Sequence, residues 1–146
     1  MRKLTITRVK GIIGGLGTLK VYVTDPKHNQ LEICGYPCRK LGEIKNGHIV
    51  SFNIDDATGR VFVIADRASR NWCNDSRPIP KDGCDIELIG KCCFAPFLGN
   101  PFTFANKPDE EAMQNRKKGR KKGGTVAMIA IAIGVLMGMI LGSLIF

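Results

Sequence analysis

Short stretches in which apolar and polar residues alternate recur along the first hundred residues of the chain. One of them places Leu19, Val21 and Val23 on one face and Lys20 and Tyr22 on the other. A period of two residues is typical of β-strands, and no long helical pattern precedes residue 107. About eight such strands predict a mainly β fold, a small antiparallel β-sandwich or barrel. The other strand-like stretches are residues 4–7, 31–33, 50–54, 61–65, 86–88 and 102–104.

Two of these stretches predict more detailed structure. Residues 61–65 are apolar on both faces, which indicates a central strand. Asn46-Gly47 suits the positive φ angles of a two-residue hairpin turn. We therefore expect three consecutive antiparallel strands at residues 39–45, 48–54 and 60–66.

Residues 31–54 read LEICGYPCRKLGEIKNGHIVSFNI: a strand, a short glycine turn, a Leu-Gly to Asn-Gly segment and a following strand. Over residues 31–66 the chain resembles the hairpin core of PEGA-like β-sandwich modules. The resemblance implies a binding or scaffolding unit rather than an enzyme.

The C-terminal residues 125–146 read TVAMIAIAIGVLMGMILGSLIF and carry no charge. A helix of this length measures roughly 33 Å, and the hydrocarbon core of a bilayer is about 30 Å thick. A domain of about 105 residues could hardly bury a helix that is apolar on every side. The segment therefore predicts one transmembrane helix.

A run of basic residues precedes the predicted span, and it favours the cytoplasmic side. We expect a single-pass membrane protein with its N-terminal domain in the cytoplasm, because the chain start also lacks the unbroken apolar core of a signal peptide. Residues 116–146 resemble the tail-anchored class. The run acts either as a topology signal alone or also as a site for anionic lipid headgroups. It consists of Arg116, Lys117, Lys118, Arg120, Lys121 and Lys122.

Small residues recur every four positions in the predicted span, at Ala130, Gly134, Gly138 and Gly142. This spacing places them on one face of a helix and lets another helix approach closely. The pattern predicts self-association or packing against a partner helix. The alternative is chance, because glycine is common in membrane helices.

A charged linker at residues 107–124 separates the predicted β domain, residues 1–106, from the span. Pro108 and the acidic residues 109–111 are typical of a helix start, so a short helix is predicted at about 108–118. The whole chain carries a net charge of +9. Its most basic part is explained by the membrane, so we do not predict nucleic-acid binding.

An 18-residue segment without a clear period, residues 66–83, contains the only tryptophan. Trp72, Arg67, Arg70 and Arg77 together suit a contact surface for a protein partner, since aromatic and arginine side chains dominate such surfaces. The alternative is that Trp72 is buried beneath the segment.

The six cysteines, at positions 34, 38, 73, 84, 92 and 93, allow two interpretations. Cys34, Cys38, Cys92 and Cys93 could supply four zinc ligands, but adjacent residues of a strand project to opposite faces. Thiols in the cytoplasm stay reduced, so we expect structural or buried thiols without a metal or another cofactor.

The residue pattern groups no nucleophile, base and charge stabiliser, so no catalytic residue and no enzymatic activity are predicted. The first hypothesis is a membrane-anchored, cytoplasmic-facing β-sandwich that binds or scaffolds an unknown protein partner. The alternative is a membrane assembly or stress protein that acts through its glycine-faced helix. A metal- or thiol-dependent enzyme is a third hypothesis, and it predicts bound zinc or a cysteine of low pKa.

Overall fold

The computed structural model describes residues 2–12, 17–54, 59–65, 73–93 and 102–118. Within these ranges the protein has nine strands and one helix, α1, at residues 110–118. The predicted short helix is thus confirmed. The strands are β1 Lys3–Arg8, β2 Leu19–Thr24, β3 Leu31–Ile33, β4 Tyr36–Ile44, β5 Ile49–Asn53, β6 Arg60–Ala65, β7 Asp75–Pro78, β8 Ile86–Cys92 and β9 Phe102–Phe104.

The strands form two sheets, in the orders β5-β1-β8-β9 and β3-β4-β2-β6-β7. The fold is mainly β with one short helix, and the two sheets are consistent with a β-sandwich. All strand pairs are antiparallel except β1 and β8, which run parallel. The expected sandwich is therefore mixed rather than purely antiparallel.

The main hydrophobic core receives side chains from both sheets, among them Leu4 and Leu88 from the first sheet and Val21 and Val63 from the second. Each is at most 5% exposed. Burying an aliphatic side chain of this size contributes about 1.5–3 kcal/mol, so this shared core holds the sheets together.

The strand β6 lies inside its sheet, between β2 and β7, as its apolar sequence predicts. Val61 and Val63 enter the main core, whereas Phe62 and Ile64 enter a second cluster on the other face of the sheet. The second cluster explains why both faces of β6 are apolar. Its other buried members are Tyr22, Ile33, Cys38 and Cys73.

The predicted run of three antiparallel strands is wrong, although strands exist near all three positions. β4 pairs with β2 and β3, β5 pairs with β1, and β6 pairs with β2 and β7. The backbone N–H of His48 donates to the carbonyl of Lys45, at 3.2 Å, and of the Asn46-Gly47 pair only Gly47 has a positive φ. This turn carries the chain from one sheet to the other instead of closing a hairpin.

The two-residue hairpin turn of the described chain lies elsewhere, between β3 and β4. Ile33 pairs with Tyr36, and the two residues between them, Cys34 and Gly35, have φ angles of 52° and 87°. Positive φ at both central residues matches the type I′ turn that favours tight hairpins. Cys34 is thereby held at the rim of the second hydrophobic cluster.

Candidate functional site

A buried carboxylate, Asp75, connects the edges of the two sheets and helix α1. Strand β7 places its side chain, which is 0% exposed, where it accepts hydrogen bonds from the Arg77 guanidinium at 2.7 Å and the Phe104 backbone N–H at 2.8 Å. The Thr103 hydroxyl donates at 3.2 Å, and Arg116 of α1 also pairs with Asp75. A carboxylate is stable in such a position only when donors and cations surround it.

Arg77 lies inside the protein with its side chain 5% exposed, rather than on the expected contact surface. Its guanidinium lies 5.2 Å from the centre of the Phe104 ring and donates to the Asn106 carbonyl at 2.6 Å. The ion pair with Asp75 is the physical reason for its burial. The other three residues of the predicted surface, Arg67, Arg70 and Trp72, lie outside the described residues.

A second charged cluster fixes the start of α1 to the sheet β3-β4-β2-β6-β7. The Arg60 guanidinium donates two hydrogen bonds to Asp109, at 2.6 and 2.7 Å, and one to Glu111, at 3.2 Å. Arg60 holds the pKa of Asp109 below its usual range. The Tyr36 hydroxyl donates to Glu111 at 3.0 Å. Burial, followed by this hydrogen bond, raises the pKa of Tyr36.

Helix α1 is therefore attached to the β domain at both of its described ends. Ala112, between the two attachment points, is 1% exposed. Arg116, the first residue of the predicted basic cluster, belongs to the Asp75 network, whereas Lys117 and Lys118 are exposed. Arg120, Lys121 and Lys122 lie outside the described residues.

The predicted span and its small-residue face, Ala130, Gly134, Gly138 and Gly142, also lie outside the described residues. Within residues 2–12, 17–54, 59–65, 73–93 and 102–118, no helix is long and apolar enough to cross a membrane.

Two thiols meet at the rim of the second hydrophobic cluster. The Sγ atoms of Cys34 and Cys73 lie 4.0 Å apart, although 39 residues separate them in sequence. The shared hydrogen bond with Cys73 lowers the pKa of Cys34 to about 7, while the same contact and burial raise the pKa of Cys73. Cys38 is fully buried, and burial raises its pKa to about 12.

No family model, curated protein or solved structure matches this chain.

The four cysteines considered as zinc ligands belong to different sheets. Cys34 and Cys38 lie in or beside the β3–β4 hairpin, and Cys92 ends β8, followed directly by Cys93. In the part of the chain that the structure describes, no three metal-ligating side chains converge. Sequence reasoning missed the pair that does converge, because nothing in the spacing of Cys34 and Cys73 links them.

A surface groove of about 440 Å³ runs beside β7 and β8. Its lining is partly apolar, with Pro78, Pro80 and Leu88, and partly charged, with Glu87 and Lys107.

Proposed function

We propose that this protein is a membrane-anchored β-sandwich whose folded part faces the cytoplasm and binds or scaffolds a protein partner. The observation that supports it best is the attachment of α1 to the domain through Arg60–Asp109 and Asp75–Arg116. The helix leads in sequence to a basic run and then to the uncharged residues 125–146. A domain attached in this way presents its surfaces at a limited distance from the lipid.

The length of the connection limits that distance. Residues 119–124 separate the described end of α1 from the predicted span, and six extended residues reach at most about 20 Å. Lys117 and Lys118 are exposed and can join the basic residues that follow in binding anionic headgroups. Arg116 does not take part, because Asp75 already binds it.

The groove beside β7 and β8 is the surface we assign to the partner. Its exposed proline side chains, Pro78 and Pro80, offer apolar contacts, and Lys107 and Glu87 offer charge selectivity at the rim.

Cys84 provides a test of the proposed topology, because it is exposed and its thiol can be labelled. In sealed vesicles with the cytoplasmic face outward, we expect a membrane-impermeant maleimide to label Cys84 without detergent. In vesicles of the opposite orientation, labelling should require detergent. A Cys84→Ser variant is the control for labelling of other thiols, and truncation after residue 122 should release the protein from the membrane. Labelling from the opposite face, or retention of the truncated protein, would contradict the proposal.

The small-residue face of the predicted span supports the alternative, a membrane assembly or stress protein that acts through this helix. Substitution Gly138→Leu separates the two functions, since a large side chain prevents close helix approach. Under the leading proposal, cross-linked protein partners still co-purify with the variant. Loss of self-association together with loss of every co-purifying partner would favour the alternative. Ile140→Leu, a neighbouring substitution that preserves size, is the matched control.

A further inference from the structure

The sulfur atoms of Cys34 and Cys73 are already in van der Waals contact at 4.0 Å. A disulfide needs about 2.05 Å between them, so the two side chains have only a short distance to move. Cys34 lies in the β3–β4 turn. Cys73 directly precedes Asn74, and the backbone N–H of Asn74 donates to the Val63 carbonyl on β6 at 2.7 Å. The fold itself therefore brings the two thiols together.

The backbone at Cys34 is a second, independent observation. Among the described residues it is the only non-glycine residue with a positive φ, at 52°. The first central position of a type I′ turn is normally asparagine, aspartate or glycine, because other side chains are strained there. A cysteine at such a position points to a use for its thiol.

The two thiols are also unequal in access. Cys34 is half-buried, whereas Cys73 is 2% exposed. The hydrogen bond with Cys73 lowers the pKa of Cys34 to about 7, so the thiolate, which is the form that reacts, is favoured at Cys34 rather than at Cys73. Cys73 stays protonated, and its raised pKa reflects the contact with Cys34, burial and the charge of Asp75.

We propose that Cys34 and Cys73 form a redox-modification site in which a peroxide oxidises Cys34 and Cys73 then closes a reversible disulfide. The Cys34 thiolate attacks one peroxide oxygen, the O–O bond breaks, and the departing hydroxide takes up a proton to become water. Cys34 is then a sulfenic acid. The Cys73 sulfur attacks it, losing its proton as the S–O bond breaks and a second water leaves. The two thiols thus supply two electrons, and a small dithiol restores them by exchange.

The site is independent of the proposed membrane role, yet it lies beside α1. The Cys34 thiolate lies in the electric fields of Glu111 and Lys118, both on α1. Closing the disulfide removes the negative charge of the thiolate and links the β3–β4 turn to the segment before β7. Oxidation would thereby change the surface on which α1 is docked.

The test uses the full-length protein in detergent at neutral pH, treated with equimolar hydrogen peroxide and mapped by mass spectrometry without reduction. We expect a peptide pair linked through Cys34 and Cys73, which dithiothreitol removes. In Cys73→Ser, whose hydroxyl can still donate a hydrogen bond to the Cys34 sulfur but cannot close a disulfide, a dimedone probe should trap sulfenic acid at Cys34 roughly tenfold faster than at the exposed Cys84, because this hydrogen bond stabilises the reactive Cys34 thiolate.

Two matched variants keep the result interpretable. Cys34→Asn places a residue favoured in type I′ turns at that position, so the fold is retained while the cross-link disappears. Cys84→Ser should leave the Cys34–Cys73 link unchanged. Equal trapping at Cys34 and Cys84, or an oxidised protein without the Cys34–Cys73 link, would overturn the proposal.

Discussion

Replacing Asp75 with alanine is expected to lower the free energy of unfolding by about 3–5 kcal/mol. The substitution removes the carboxylate but leaves the Arg77 guanidinium, whose side chain is 5% exposed, without its ionic partner. The backbone N–H of Phe104 also loses its acceptor. A buried cation that loses its partner cannot recover its hydration, and this desolvation accounts for most of the expected loss.

Reactivity of Cys38 measures the effect, because this thiol is fully buried in the folded protein. Full-length protein in detergent is alkylated across a urea series, and modification of the Cys38 peptide gives the unfolding midpoint. Glu43→Ala is the matched control, since it removes an exposed carboxylate that pairs with Lys40 at 2.6 Å. Such surface pairs contribute about 0–1 kcal/mol. Equal midpoint shifts for the two variants would show that Asp75 has no special structural role.

The sequence pattern predicts which faces of the strands are buried, but it does not predict which strands pair. Alternation places Val21 and Val23 on one face, and the structure confirms that both lie in the main core. The same pattern cannot distinguish a hairpin from a crossing between sheets, because both leave the apolar face of β5 inward. Asn46-Gly47 is compatible with either. The side-chain amide of Asn46 binds the backbone of Gly11: its oxygen accepts from the Gly11 N–H at 3.1 Å, and its nitrogen donates to the Gly11 carbonyl at 2.7 Å.

The charged clusters could not be predicted because their members are far apart in sequence. Arg60 is separated from Asp109 by 49 residues, and Asp75 is separated from Arg116 by 41. Without the fold, each of these side chains reads as a solvated surface group, since charged residues are rarely buried unless paired. The sequence did indicate the acidic start of α1, but as a response to the helix dipole. The structure shows that Asp109 and Glu111 also pair with Arg60 on β6.

The Cys34–Cys73 pair is also formed by residues that are far apart in sequence. A tight turn was expected at the Asn-Gly dipeptide, whereas the type I′ φ angles occur at Cys34-Gly35. The pairing of β3 with β4 places Cys34 and Gly35 at the centre of the turn, and this pairing depends on tertiary contacts. The hypothesis of a thiol of low pKa could be stated from sequence, but its residue could not be chosen among six cysteines.

Substitution Arg60→Met is expected to loosen the start of α1, while the second attachment, Asp75–Arg116, and most of the β fold remain. Methionine keeps much of the apolar volume of the arginine stem but donates no hydrogen bond to Asp109 or Glu111. Both carboxylates are about one third exposed, so water can partly replace the lost cation. We therefore expect a local loss of about 2 kcal/mol, smaller than for Asp75→Ala.

Amide hydrogen exchange of residues 110–118 measures this loosening. A loss of about 2 kcal/mol corresponds to roughly 30-fold lower protection of the helix, because opening becomes more favourable by that amount. Arg39→Met is the matched control, since Arg39 pairs with Asp25, at 2.8 Å, instead of with α1. Unchanged protection in Arg60→Met would mean that the ion pairs do not hold the helix.

Acid should loosen the start of α1 in the same way, and the direction of the pKa shift of Asp109 fixes the pH range. Its pKa is lowered in the folded protein from an ordinary value of 3.8, because the Arg60 guanidinium stabilises the carboxylate. The stabilisation by the Arg60–Asp109 ion pair is therefore complete above pH 3.8. It is lost as the pH falls through the lower pKa that Asp109 has in the folded protein. In Arg60→Met the pKa of Asp109 returns toward 3.8, so the extra loss of helix protection in acid should disappear. An identical acid response in both proteins would show that another group, and not this ion pair, controls the docking of α1.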